Sequence, residues 1–218
     1  MTPSTPLRLR DHAYSNFTQK LLARDIDPGQ IVSQRELVAL TGMPLGAIRE
    51  MIPRLEADGL IKTVPKRGLQ VLSIDLELVR NAFQLRHIIE GEAVSIYCRT
   101  ASDEDIAQLL AEHQEIRAQA TQGVTTEVLQ RAQQIDWAFH DRIIDAMGNA
   151  IISDIHRVNA IKIRLIRNSD TRMLPELVVP VLDEHLAICA ALEARDNSAA
   201  IAAIHTHVDS AKRRALGM

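Results

Sequence analysis

The sequence predicts a mainly α-helical chain in two modules. Residues 1–73 read as three short helices and a small β-hairpin. Residues 74–218 read as an antiparallel bundle of six or seven helices. Two observations carry this. Apolar residues recur at helical spacing along almost the whole chain, and strand-like runs occur only at residues 60–72. A third is the placing of Gly, Pro and Ser/Thr/Asn/Asp at regular breaks between the periodic stretches.

The elements follow in order. Leu9 to Arg24 puts Ala13, Phe17 and Leu21 on one side of a first helix. Asp27-Pro28-Gly29-Gln30 is a turn, because Pro fixes φ and Gly permits a positive one. Ser33 followed by Glu36 is a capping box for a helix from Gln34 to Leu40. Thr41-Gly42-Met43-Pro44 breaks it. A third helix runs from Leu45 to Asp58, with Ile48, Ile52 and Leu55 inward, and Gly59 ends it. Pro53 inside this helix removes one backbone hydrogen bond and is expected to kink it. Residues 60–64 and 69–72 are short β runs joined by the basic tip Pro65-Lys66-Arg67-Gly68. Beyond a boundary near Ser73-Ile74-Asp75, helices are expected over 75–99, 102–121, 125–147, 150–169, 174–194 and 197–215. Ser102 with Asp105 caps the second of these. Short connections make their neighbours antiparallel.

Composition excludes several functions. The 218 residues are 46% hydrophobic and 24% charged, enough apolar material for a core, so disorder is not expected. Charges interrupt every apolar run before it reaches membrane-span length. Met1-Thr-Pro-Ser-Thr-Pro6 has no basic-then-apolar pattern, so no secretory signal and a cytoplasmic location are expected. Two cysteines, Cys98 and Cys189, exclude a disulfide scaffold and read as small core residues. Aromatics at 3% argue against stacking on single-stranded nucleic acid. The net charge of −3 is unevenly spread. Residues 1–72 hold ten of the 25 basic side chains and only seven of the 28 acidic ones, so a mildly basic end precedes an acidic body. That distribution suggests a polyanion partner for the first module alone.

Two helices joined by a Gly-containing turn and followed by a basic hairpin describe a winged helix-turn-helix. In that geometry the second helix enters the major groove of double-stranded DNA. Arg35 opens the first helix of the pair and Arg49 lies in the first turns of the second. Arg suits a guanine edge or a phosphate. Lys66 and Arg67 at the tip suit phosphate positioning. The same charges also fit the solvated surface of a small helical module.

In the second module the informative pattern is Asp136-Trp-Ala-Phe-His140, whose i, i+4 spacing puts both side chains on one helix face. His185 and the His205/His207 pair on later helices are further donors. Asp and three imidazoles suit Zn²⁺ first, with Ni²⁺, Mn²⁺ and Fe²⁺ as alternatives. An ion pair or a core hydrogen bond would leave the same spacing. Periodicity alone does not choose between His205 and His207. His12, His87, His113 and His156 read as surface or satisfied histidines, and Trp137 and Phe139 as packing.

The runs Asp27-Pro-Gly-Gln-Ile-Val-Ser-Gln-Arg-Glu-Leu37, Leu45-Gly-Ala-Ile-Arg-Glu-Met-Ile-Pro-Arg-Leu-Glu-Ala-Asp-Gly-Leu-Ile61 and Pro65-Lys-Arg-Gly-Leu-Gln-Val71 resemble the GntR family of bacterial transcription regulators. The resemblance implies that Arg35, Arg49 and the wing around Lys66, Arg67 and Gly68 face DNA. Pro44-Leu45 replaces the family's usual Ser-Arg before the recognition helix, so operator sequence does not carry over. Residues 75–215 resemble the helical effector domain, the FCD domain, of the FadR-type subfamily. That resemblance selects His207 and implies a divalent metal held by Asp136, His140, His185 and His207. It further implies a small carboxylate effector above the metal, a homodimer on a palindromic operator, and regulation, with repression as the family default. Arg86 is a candidate second anchor for the effector, or an i, i+4 partner of Glu90. Asn159 interrupts the stripe Ile152, Ile155, Ile163, Ile166, and lines the pocket or satisfies the core. The rival reading is a metal-dependent hydrolase or lyase using the same Asp/His set. Against it stands the lack of a general base beside the ligands and of GxSxG, GxGxxG or P-loop motifs.

Overall fold

The computed structural model describes residues 9–170 and 174–218. The N-terminal stretch Met1 to Pro6 therefore lies outside the described residues. The chain divides into two compact units between Leu76 and Glu77.

In the first unit α1 (Leu9–Leu22) buries Ala13, Phe17 and Leu21. It stops two residues short of the expected end, and Arg24 beyond it turns left-handed with φ +64°. α2 (Gln34–Thr41) starts on the expected capping box. Ser33 Oγ accepts from the Glu36 amide and the Glu36 carboxylate accepts from the Ser33 amide. Gly42 ends α2 at φ +68°, where its amide donates to the Val38 carbonyl. α3 (Leu45–Ala57) continues as helix through Pro53. Its buried side chains are Ala47, Ile48, Met51 and Leu55, so Met51 takes the inward place expected for Ile52. Pro44 caps it without a side-chain hydrogen bond.

The hairpin is part of a three-stranded sheet in the order β1-β3-β2. β2 (Ile61–Val64) and β3 (Gly68–Val71) pair antiparallel with Ile61 opposite Val71 and Val64 opposite Gly68. β1 (Ile31–Val32) adds to the other edge of β3. A two-residue strand has no alternation to read, which is why the sequence did not reveal it. Gly68 is required here. Its φ is +128°, and a Cβ would lie 2.8 Å from the Val32 carbonyl oxygen, a backbone atom that can move only with the sheet. Gly68→Ala is expected to destabilise this unit by at least the roughly 1–3 kcal/mol typical of such strain, read as a lower urea midpoint.

The second unit is helical throughout: α4 (Leu76–Thr100), α5 (Asp103–Gln122), α6 (Thr126–Asp145), α7 (Ala150–Asp170), α8 (Pro175–Glu193) and α9 (Asn197–Ala215). Ser102, Thr125 and Asp196 cap α5, α6 and α9 through their side-chain oxygens. α8 packs most extensively against α5 and α9. The main core gathers Val94, Tyr97, Leu109, Phe139, Ile143, Ile188 and Leu192, and Cys98 and Cys189 are buried within it. Burial pushes the Cys189 thiol up to about 12, as befits an inert core residue.

α7 departs from the expected stripe. Ile155 is 45% exposed, while Ser153, His156 and Asn159 are buried beside Ile163 and Ile166. The inward face of this helix is polar over its first half. Among the described residues no helix is long and apolar enough to cross a membrane.

Candidate metal centre and DNA-facing surface

The five residues expected on the DNA side border one concave surface of the first unit. Arg35 on α2, Arg49 on α3, Lys66 and Arg67 on the hairpin tip and Gly68 on β3 surround it, with Leu45 and Ile52 between them. The four cationic side chains are exposed. Arg49 Nε donates to Gln34 Oε1 at 3.2 Å, which ties α3 to the first turn of α2. Lys66 adopts φ +64°, a strained value for a non-glycine residue that the tight tip imposes. Leu45 is 38% exposed.

In the second unit Asp136, His140, His185 and His207 come together. One ligand atom from each lies within 4.8 Å of the others, and all four residues are buried. α6 supplies Asp136 and His140, α8 supplies His185 and α9 supplies His207. His205 points elsewhere: its ring stacks on His87 at 3.7 Å, in space left by the missing side chain of Gly91.

The hydrogen bonds around the cluster set the histidine tautomers. His113 Nδ1 is 2.7 Å from the Leu109 carbonyl, which can only accept, so Nδ1 carries the proton. Burial lowers the His113 pKa, so its ring is neutral and Nε2 is a lone pair. That lone pair lies 3.1 Å from His185 Nδ1, which must therefore be the protonated nitrogen. His185 Nε2 is left bare. It faces Asp136 Oδ1 at 3.5 Å, and both atoms are buried without a hydrogen-bond partner. Two acceptors facing one another in a dry core repel, and a cation between them removes the repulsion. His207 follows the same rule, with Nδ1 2.8 Å from the Glu184 carboxylate and Nε2 turned inward. In His140 it is again Nδ1 that faces a carboxylate, Glu90 Oε2 at 3.0 Å. Burial lowers the pKa of all three imidazoles, with His207 brought to about 4. Burial opposes ionisation of Asp136, but the Arg167 guanidinium at 2.7 Å outweighs it and holds the carboxyl below its usual range. The donor set, one carboxylate and three neutral imidazoles, thus fits a divalent transition cation, and His113 and Glu184 orient His185 and His207 from behind.

Arg86 makes the expected i, i+4 contact with Glu90 and also touches two of the four candidate ligands. Arg86 Nε donates to Glu90 at 2.6 Å, and Arg86 Nη2 donates to His140 Nε2 at 2.6 Å and lies 3.2 Å from His207 Nε2. Asn159 likewise does both: it lines the adjoining cavity and donates to the Ala82 carbonyl at 3.0 Å. That cavity also reaches Trp137, His156, Arg164 and Arg167.

Sequence reading missed His113 as an orienting residue, together with Glu184, Arg164 and Arg167. The i, i+3 pair Arg164/Arg167 was a visible signal, but only once the inward face of α7 is known to be polar. His156, expected at the surface or satisfied, is buried and pairs with Asp141 at 3.0 Å.

Residues 9–71 match the bacterial regulatory proteins of the gntR family, and residues 81–210 match the FCD domain. The Nta operon transcriptional regulator of Aminobacter aminovorans is 26% identical over 186 residues, covering 83% of this chain and 82% of that protein. The HTH-type transcriptional regulator YdhC of Bacillus subtilis is 23% identical over 143 residues, 65% of this chain, and the chain spans only 62% of its length. A GntR transcriptional regulator structure from Rhodococcus sp. RHA1 superposes with a TM-score of 0.73 at 20% identity, over 95% of this chain and 97% of that one. The fold is that of a winged helix-turn-helix followed by a helical effector domain. The chain belongs to the GntR family of DNA-binding transcriptional regulators and carries an FCD domain.

Proposed function

We propose that the protein is a cytoplasmic, ligand-responsive repressor that acts as a homodimer on a palindromic double-stranded operator. Its helical unit holds a divalent cation, Zn²⁺ first, and a small organic-acid effector. The observation that carries this reading is the pair of buried, unpartnered acceptors, Asp136 Oδ1 and His185 Nε2, set 3.5 Å apart in a cluster of four ligands.

Asp136, His140, His185 and His207 would hold the ion. A bound divalent cation supplies a Lewis acid that attracts a carboxylate oxygen. Arg167 and His113 keep Asp136 and His185 aimed at it. Arg86, held by Glu90 and His140, adds positive charge beside the effector carboxylate, and Asn159 fixes the α4 backbone at that level through Ala82. In the first unit, Arg35 and Arg49 face base edges or phosphates, while Lys66, Arg67 and the close approach at Gly68 position the wing. An effector that binds one arrangement of the dimer better than another shifts the population competent for DNA by its differential affinity.

The test is selection of sheared genomic DNA from the source organism by purified protein at about physiological salt. Enrichment of a short palindrome, released by a small organic acid with an affinity change of about 5–150-fold, is the expected result. Failure to enrich any site, with or without Zn²⁺, overturns the regulator reading. A site whose retention ignores every acid tried overturns the ligand response.

A further inference from the structure

We infer that the effector is a dicarboxylate, with one carboxylate at the cation and the second on Arg164, which lines the same cavity. This rests on the carboxylate-effector reading above and narrows it to a charge class and an anchor.

The cavity is lined by three guanidinium groups, Arg86, Arg164 and Arg167, and by three carboxylates, Glu90, Asp136 and Asp141. Their charges cancel. A divalent cation on the Asp/His cluster then leaves two positive charges without compensation in a largely buried site. Uncompensated charge is costly there, and a dianion removes both where a monoanion removes one.

The three arginines are not equivalent. Arg86 is committed to Glu90 at 2.6 Å and Arg167 to Asp136 at 2.7 Å. Arg164 has no such partner at its Nε, a buried donor without a hydrogen bond. Its Nη2 lies 3.9 Å from Asp141 Oδ2, too far for a hydrogen bond, and the other Asp141 oxygen is occupied by His156. The Arg164 guanidinium stacks over the Trp137 ring at 4.1 Å, which holds its plane in place. It is thus a held but unsatisfied fork bordering the same cavity as Arg86. The Trp137 ring beside it offers an apolar wall for the carbon chain between two acid groups.

The experiment is calorimetry on Zn²⁺-loaded full-length protein with chain-matched acids: succinate against butyrate, and glutarate against valerate. At least one dicarboxylate is expected to bind tenfold or more tightly than its partner. Arg164→Gln is expected to bring that dicarboxylate to the level of the monocarboxylate, with zinc content and monocarboxylate affinity unchanged. Arg164→Lys, which keeps the charge but not the planar fork, should fall between and decides the matter if Arg164→Gln does not fold. Equal affinity within both pairs, or a preference that survives Arg164 substitution, overturns this inference and leaves the carboxylate effector standing. Absence of binding by all four acids to protein shown to hold zinc overturns both.

Discussion

Asp136→Asn is expected to lower affinity for Zn²⁺ by more than 100-fold while leaving the helical unit folded. Competition against a chromophoric chelator measures the first and thermal unfolding in chelator the second. The substitution preserves volume and splits the two roles of the side chain. Asn Oδ1 still accepts from Arg167, which donates to Asp136 Oδ2 at 2.7 Å. Asn Nδ2 can donate to His185 Nε2, the bare acceptor opposite Asp136 Oδ1. The variant therefore relieves the repulsion between two buried acceptors and removes the anionic ligand at the same time. Without metal, its melting temperature should match or exceed that of chelator-treated wild type. With Zn²⁺ at 100 times the dissociation constant, the wild type gains about 2.7 kcal/mol and the variant does not. His113→Phe makes a graded comparison. It takes away the acceptor that fixes the His185 tautomer while leaving the four ligands in place, so a 10–100-fold loss is expected. Zn²⁺ affinity unchanged in Asp136→Asn would show that the cluster is a structural hydrogen-bond network.

The relation of Asp136 to His185 shows what could be read before the fold was known. Asp136 and His140 sit one helical turn apart, and a period of 3.6 residues makes that visible in the chain itself. The contributions of α8 and α9 are not visible in this way, because nothing local says which of His205 and His207 faces the centre. The choice depends on a close approach: Gly91 on α4 leaves room for the His205 ring, which turns away to stack on His87. α7 was misread for the opposite reason. Hydrophobicity finds the buried face of a helix when that face is apolar, and here Ser153, His156 and Asn159 occupy it while Ile151 and Ile155 face outward. A helix that lines a polar cavity inverts the usual pattern, so the error marks the site. His113 was a buried histidine whose role exists only in relation to Leu109 and His185. In the first unit the capping box at Ser33 and Glu36 and the break at Gly42 are local and were legible. β1 was not, because its pairing to β3 is a property of residues nearly forty positions apart.

Arg49→Ala is expected to weaken operator binding by about 1–3 kcal/mol, roughly 5- to 150-fold, and to relax the preference at one base position. Gel-shift titrations against the selected site and its single-base variants measure both. Arg49 is exposed, so its loss should move stability by no more than about 0.5 kcal/mol, and weaker binding cannot be ascribed to unfolding. Its hydrogen bond to Gln34 holds the guanidinium beside the first turn of α2, which reduces the freedom it must lose on reaching a base edge. Lys66→Ala and Arg67→Ala should behave differently. These side chains stand on a tip whose conformation is fixed by Lys66 at φ +64° and Gly68 at φ +128°, and they carry charge without a fixed partner plane. Their loss should weaken all duplexes alike and flatten the dependence of log K on log salt by about 0.9 for each phosphate contact removed. Leu45 separates the two mechanisms further. An exposed apolar side chain at the start of α3 has no use for a phosphate, but it can pack on a thymine methyl. Leu45→Ser should therefore alter base preference near the position read by Arg49 while leaving the salt slope unchanged. A salt slope that falls in Leu45→Ser, or a base preference untouched in Arg49→Ala, would mean that α3 does not lie in the major groove in this orientation.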